Sequence, residues 1–434
     1  IGAYFNSDGS DDINQPRPII IQTIRNDTLI YIKHENWIIK DLYFQGNSGL
    51  LGWASAVFIA TWNGPVKDFL MSNVYVREYA RGFSSDFSVL DQRNVFIYNS
   101  HFEDIGTLGA GGNGIYIGAK DSAIMGTIVN KSILGGEHNA RVFHGNKLLI
   151  SHNIFHNPDD IKASLKFHNE ESLQDGGLGP SKWNLISHNK FNHLVEYKPQ
   201  NALRKEFMED AIFEKNTFER TNINEAVENG FTFSVLAQNM GVRNNIFKVK
   251  SGVAFGGVNT QGVLPSSNIN IFSNTFWYGK DAQESGVIWL HSGVTNVKIK
   301  NKIAQRTGKD LCCNNQDYFL KTDPILSEID SNYNIFDSPV NTFAIDNGIV
   351  RTLAQWQSQG RDLNSQFIGP LYVDPLKGDF HLQTISPAID AGTRIPVFDD
   401  FEGIIRPVDI TGKGDGIDEW DIGAYEFSSV NPDS

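Results

Sequence analysis

The feature that most constrains this chain is an internal repeat. The tripeptide Asn-x-Phe or Asn-x-Ile recurs at Asn153, Asn189, Asn216, Asn245, Asn274, Asn301 and Asn334, at spacings of 27 to 36 residues. Degenerate copies precede it at Asn73, around Ser100 and around Lys131. Turn residues follow each copy, and then a short alternating segment: NGIYIG (113–118), HNARVF (138–143), ASLKFH (163–168), GFTFSV (230–235), GVAFGG (252–257) and GVIWLH (286–291). Alternation is the period of a strand, and no amphipathic helix accompanies it.

Repeats of this length are shorter than a propeller blade, and they carry Asn and Phe where leucine-rich repeats carry Leu. They predict an all-β chain, a single-stranded right-handed parallel β-helix in which each repeat is one coil, closed by a C-terminal capping segment. The repeated Asn then has a structural task. Carboxamides stacked at one corner of successive coils, about 4.8 Å apart, hydrogen-bond along the stack while the Phe or Ile two residues on enters the core. Asn accounts for 41 of 434 residues and Gly for 40, a composition that builds turns. Residues 1–352 are read as the β-helix and 353–434 as its last coils and cap. There LAQWQSQG suggests a short helix or turn, and 370–427 is rich in Asp, Gly and Pro.

Composition narrows function. No run of 18 apolar residues exists, which argues against a membrane-spanning helix. The formal charge of −13 argues against nucleic acid as partner, because phosphate contacts need a basic face. Cys312 and Cys313, the only cysteines, exclude a disulfide framework and a four-cysteine zinc site; a vicinal disulfide and two separate thiols both stay open. No signal peptide stands at Ile1, so the numbering is that of a mature or truncated chain.

The tail GPLYVDPLKGDFHLQTISPAIDAGT (369–393), followed by DIGAYEF (421–427), resembles the C-terminal segment of secreted bacterial β-helix proteins of the pectate-lyase-like superfamily. The opening IGAYFNSDGSDDINQPRPIII is similar to a segment that lies inside the solenoid in those proteins, so the expectation is that the first coils precede Ile1. The resemblance implies the β-helix fold and a secreted, periplasmic or cell-surface location.

Seven of the 11 histidines fall between 138 and 193 (His138, His144, His152, His156, His168, His188 and His193), among Arg141, Lys147, Lys162, Lys166, Lys182, Lys190, Lys198, Arg204 and Lys205. A locally basic region in an acidic protein can draw in an anionic polymer. Aligning the alternating segments places Ile115, Ala140 and Leu165 inward, and Tyr116, Arg141 and Lys166 outward on three adjacent coils. One position later on that face come Gly118, Phe143 and His168. These residue types suit β-elimination on a uronic acid. Arg141 neutralises the carboxylate and the developing enolate, Lys166 or His168 removes the C5 proton, and Tyr116 protonates the leaving oxygen. His138, His144, Lys162, Lys198 and Arg204 are the candidate substrate-binding residues.

The resemblance extends to chondroitinase B and related alginate lyases, which use a Lys and an Arg from neighbouring coils with calcium held by side-chain oxygens. It implies Ca2+ as cofactor, and Glu137, Asp159 and Asp160 offer the oxygens, with Glu170 and Glu171 nearby. Here Arg141 and Lys166 come in the reverse order, and no Glu-x-Glu pair accompanies them. The leading expectation is therefore a polysaccharide lyase on an alginate-like or glycosaminoglycan-like polymer. The alternatives are a glycoside hydrolase, with Asp86 facing Asp159, Asp160, Glu170 or Glu171, a C5-epimerase, or a non-catalytic carbohydrate-binding solenoid. Trp53, Trp62, Trp277 and Trp289 are candidates for stacking on sugar rings. Asp409, Asp415, Asp418 and Asp421 give DITGKGDGIDEWD a calcium-loop composition, or only an acidic turn.

Overall fold

The computed structural model describes residues 18–22, 27–46, 54–60, 64–85, 92–106, 112–131, 138–156, 163–167, 181–192, 195–197, 208–219, 231–233, 237–248, 253–255, 266–278, 286–307, 318–323, 328–414 and 419–428. The chain forms two compact units, Ile1–Phe207 and Met208–Ser434. Each is a stack of parallel coils, and the all-β parallel β-helix expected from the repeat is the fold. Among the described residues no helix is long and apolar enough to cross a membrane. Cys312, Cys313, Trp53, Trp62, Asp86, Asp415 and Asp418 lie outside the described residues.

Most coils contribute three strands, one to each of three walls, and in two coils of the first unit one long strand serves the first two walls. In the first unit one wall runs from Ile30–Ile32 through Ser55–Ile59 and Arg81–Ser85 to the first half of Ile115–Met125, the first half of Ala140–Ser151, Leu165–Phe167 and Val195–Tyr197. A second wall stacks Trp37–Lys40, Lys67–Ser72, Arg93–Tyr98, the second halves of the two long strands, and Leu185–Ser187. The third stacks short strands from Ile19–Ile21 to Lys190–Phe191.

Side chains alternate as the pattern predicts. Val57, Phe83, Ile115, Ala140, Leu165 and Val195 point inward and are essentially fully buried. On the third wall the Phe rings stack, Phe155 on Phe191 at 5.4 Å in the first unit, and Phe218 on Phe247 on Phe276 at 4.6 Å in the second. Burying each such ring contributes roughly 1.5–3 kcal/mol.

Corners are where a parallel ladder fails, because the backbone turns away from its neighbour. Side chains supply the missing partner. Before the third wall of the first unit, the amides of Val74, Ser100, Thr127 and Asn153 donate to Ser100 Oγ, Thr127 Oγ1, Asn153 Oδ1 and Asn189 Oδ1 of the following coil. In the second unit Asn216 and Asn245 donate likewise to Asn245 and Asn274, and Lys302 and Asn334 to Asn334 and Ser365. The copy expected around Lys131 is thus carried by Thr127.

Asn301 departs from the expected register. Thr275 pairs with Ile303, so Lys302, not Asn301, stands at the ladder position. Asn301 instead has φ +52° and exchanges hydrogen bonds with the backbone of Thr393. It belongs to a second class of corner residue in the left-handed region, with Asn73, Asn99, His152, His188 and Asn244. Short polar side chains tolerate that region best, a second reason for the abundance of Asn.

The short helix α1, Leu353–Gln357, begins at Thr352 with a capping box to Gln355. Its Trp356 packs on Phe343, which meets Phe336 edge to face. The described residues of the C-terminal segment, 369–414 and 419–427, run back along the third wall of the second unit, where Tyr372, Phe380, Leu382, Ile389 and Ile422 bury the outward Ile246, Ile303 and Ile335.

Asn245→Ala removes the acceptor of both the amide and the carboxamide of Asn216 in a dry corner. We expect a loss of about 2–4 kcal/mol in urea unfolding. Asn239→Gly, at an exposed left-handed turn, should cost well under ~1 kcal/mol; equal losses would refute the ladder's role.

Candidate functional site

The first wall of the first unit carries one outward column across seven coils: Tyr31, Phe58, Ser84, Tyr116, Arg141, Lys166 and Glu196. The expected register of Tyr116, Arg141 and Lys166 is the observed one. The next coil adds Glu196, whose carboxylate lies 2.9 Å from Lys166 Nζ. Both partners are largely shielded, which strengthens the pair relative to a surface one.

Tyr116 differs from expectation. It stands in the outward column, yet it is only 4% exposed. The guanidinium of Arg81 lies 4.9 Å and that of Arg141 5.3 Å from its ring centroid, and Phe143 packs against it at 5.2 Å. Arg81 is itself buried. Sequence reasoning missed it because it lies two residues ahead of the aligned inward position Phe83, at the coil entrance.

Phe143 reaches Tyr116 because the strand bulges. After Ile117↔Val142 the register shifts and Gly118 pairs with His144, leaving Phe143 as the extra residue. Gly118, expected opposite Phe143, instead makes room beneath its ring: a Cβ at 118 would fall 1.9 Å from the ring edge. Bulges re-aim side chains, and this one turns an aromatic ring onto the column.

The described histidines of the sequence cluster, His138, His144, His152, His156 and His188, are dispersed around the coils. His138 sits at a corner and its Nδ1 accepts the Ala163 amide, which makes it part of the backbone scaffold. His144 is buried, and its Nδ1 finds no hydrogen-bond partner among the described residues. Burial, and secondarily Lys120, lower its pKa to about 4. His152 and His188 are left-handed corner residues whose rings stack at 4.6 Å. His156 meets Asn130 Oδ1, and burial lowers its pKa. Lys162, His168, Lys198, Arg204, Glu137, Asp159 and Asp160, with Glu170, Glu171 and His193, lie outside the described residues.

Of the tryptophans, Trp277 is core, packed on Phe380. Lys321 Nζ lies 3.7 Å from the Trp289 ring centroid. The most exposed described tryptophan is Trp183, at a left-handed corner, with Lys147 and Lys182 near its ring. The sequence signal for it is only the Lys182-Trp183 neighbour pair.

No family model matches the chain, and no curated protein matches it. Among solved structures, it is similar to the crystal structure of pectate lyase Pel9A, at 14% identity, with 94% of this chain and 89% of that chain covered and a TM-score of 0.39. It is also similar to the complex of XylC with xylose, at 10% identity, with 93% and 67% covered and a TM-score of 0.40. Likenesses this distant carry no argument about what the chain binds or cleaves.

His144 supplies a pH signature. Its folded pKa lies below the ordinary 6.5, so as pH falls the unfolded chain takes up the proton first. The contribution is intact above pH 6.5 and is lost between 6.5 and about 4. Full loss amounts to ~3 kcal/mol. His144→Leu should flatten that part of the stability profile, measured by urea unfolding at successive pH values; an unchanged acid slope would show that the ring is hydrated.

Proposed function

We propose that this protein is a polysaccharide lyase, cleaving an anionic, uronate-containing polysaccharide by β-elimination along the wall that carries Tyr116, Arg141 and Lys166. The observation that carries the reading is the Tyr116 ring with the Arg81 and Arg141 guanidiniums 4.9 and 5.3 Å from its centroid, and Lys166 on the coil after Arg141. A polymer lying along that column would meet positive charge at its carboxylates and a phenol beside them.

Elimination requires the C5 proton to leave, its electron pair to form the C4=C5 double bond, and the C4–O bond to break with protonation of the departing oxygen. Arg141 neutralises the uronate carboxylate and the enolate that forms from it. Lys166 is ion-paired with Glu196, which engages its amino group. That favours His168, of the two bases the sequence offers, for proton removal, and leaves Lys166 beside Arg141 on the enolate. Tyr116 is the acid for the leaving oxygen. The oxygens of Glu137, Asp159 and Asp160 are the candidates to hold Ca2+, which would share in neutralising the carboxylate; no step is assigned to it. A secreted or cell-surface protein acting on alginate-like or glycosaminoglycan-like chains fits this chemistry.

The burial of Tyr116 favours one other reading, a wall that binds an anionic glycan without cleaving it. Incubation with alginate, pectate, chondroitin sulfate, dermatan sulfate and heparin-type polymers, with and without a chelator, separates the two. A rise in ultraviolet absorbance marks the unsaturated product. New reducing ends without that absorbance would indicate hydrolysis, and neither signal would leave epimerisation or binding alone. On the substrate that responds, Arg141→Ala and Lys166→Ala should each lower kcat/KM by roughly 10^2-fold or more with the far-ultraviolet circular dichroism unchanged. Arg141→Lys should recover part of the rate, since it restores charge without the guanidinium fork. Full activity in either alanine variant would remove that residue from the mechanism.

A further inference from the structure

The acidic loop near the C-terminus has its own geometry. Its last residue, Asp421, is structural: Oδ1 accepts the amide of Asp390 and Oδ2 that of Phe427. The neighbouring Glu426 forms a fully buried ion pair with Arg406. This lock accounts for the Asp and Glu of DIGAYEF. Asp409 stands at the start of the loop and Glu419 near its end. With Asp390 they form a cluster whose carboxylate oxygens all lie within 4.8 Å of one another.

Three carboxylates this close repel one another, and an acidic cluster alone would mean little. Asp390 adds a second observation. It is 4% exposed, and its Oδ2 accepts the Ile410 amide at 3.0 Å, whereas its Oδ1 is buried with no hydrogen-bond partner among the described residues. A buried carboxylate oxygen without a partner is costly. Burial and then the charges of Glu419 and Asp409 push the Asp390 carboxyl up, although the Ile410 amide and Lys413 pull the other way. The chain has thus assembled an oxygen-only cluster, one of whose members carries a buried unsatisfied oxygen, floored by buried Asp390 and Glu419 and rimmed by exposed Asp409.

We propose that Asp390, Asp409 and Glu419 bind a calcium ion. The donors are all hard oxygens, which suits calcium and not zinc or copper. The exposed rim leaves room for the waters that complete six to eight ligands. The ion would join the stretch around Asp390 to both ends of the acidic loop, so its role is to fasten the flanking segment. The site is independent of the lyase reading and involves none of the residues assigned to it.

The test is calcium titration of the full chain, stripped with a chelator, followed by calorimetry and by thermal unfolding. We expect calcium to raise Tm, magnesium at equal concentration to do so less, and Asp409→Asn to weaken calcium binding at least ~10-fold. Asp409 is exposed, so this variant should fold as the parent does; Asp409→Ala serves as a second. A Tm indifferent to calcium would overturn the proposal. An equal calcium response in parent and variants would also overturn it, because the ion would then sit elsewhere.

Discussion

Everything in this molecule depends on how a backbone amide finds its acceptor at a corner. Along the walls each strand hydrogen-bonds to the strand of the next coil and the ladder is self-sufficient. Where the chain turns, that geometry is lost, and an unsatisfied buried amide costs as much as a lost hydrogen bond. The solution is a side-chain oxygen placed one coil on. Ser100, Thr127, Asn153 and Asn189 in the first unit, and Asn245, Asn274, Asn334 and Ser365 in the second, all serve it. Asn does more than Ser or Thr, because its Nδ2 also donates to a carbonyl, as Asn245 does to Phe213.

That dependence explains what the sequence made legible. A ladder must repeat in register, so its residues reappear at nearly constant intervals and disclose the coil. The alternation within each coil then aligned Ile115 with Ala140 and Leu165, and Tyr116 with Arg141 and Lys166, pairings that the strands reproduce. Legibility ended where register breaks. The bulge at Phe143 adds a residue that no alternation rule reveals. Asn301 was misread because Asn satisfies two different corner requirements, and sequence does not separate a ladder acceptor from a left-handed turn.

The candidate site was half legible for a related reason. Residues one coil apart in the alternating segments could be aligned, which located Arg141 and Lys166. Arg81 approaches Tyr116 from outside that alignment, and Glu196 was visible only once the next coil was in place. The histidine cluster was misleading because residues close in sequence on a coil are spread around its perimeter. In a solenoid, proximity comes from equal phase in different coils, as in the stacked rings of His152 and His188.

The returning C-terminal segment has a consequence for how the second unit comes apart. A bare stack of coils has only nearest-neighbour contacts, so its end coils can peel off one at a time. Here Asp399 holds Lys215 and Asn244, Ala424 holds Thr275, and Thr393 holds Asn301. One late-synthesised strap therefore fastens coils that were made long before it. Stepwise unzipping becomes an all-or-none event in that unit, and the coils stay individually releasable during synthesis until the strap arrives.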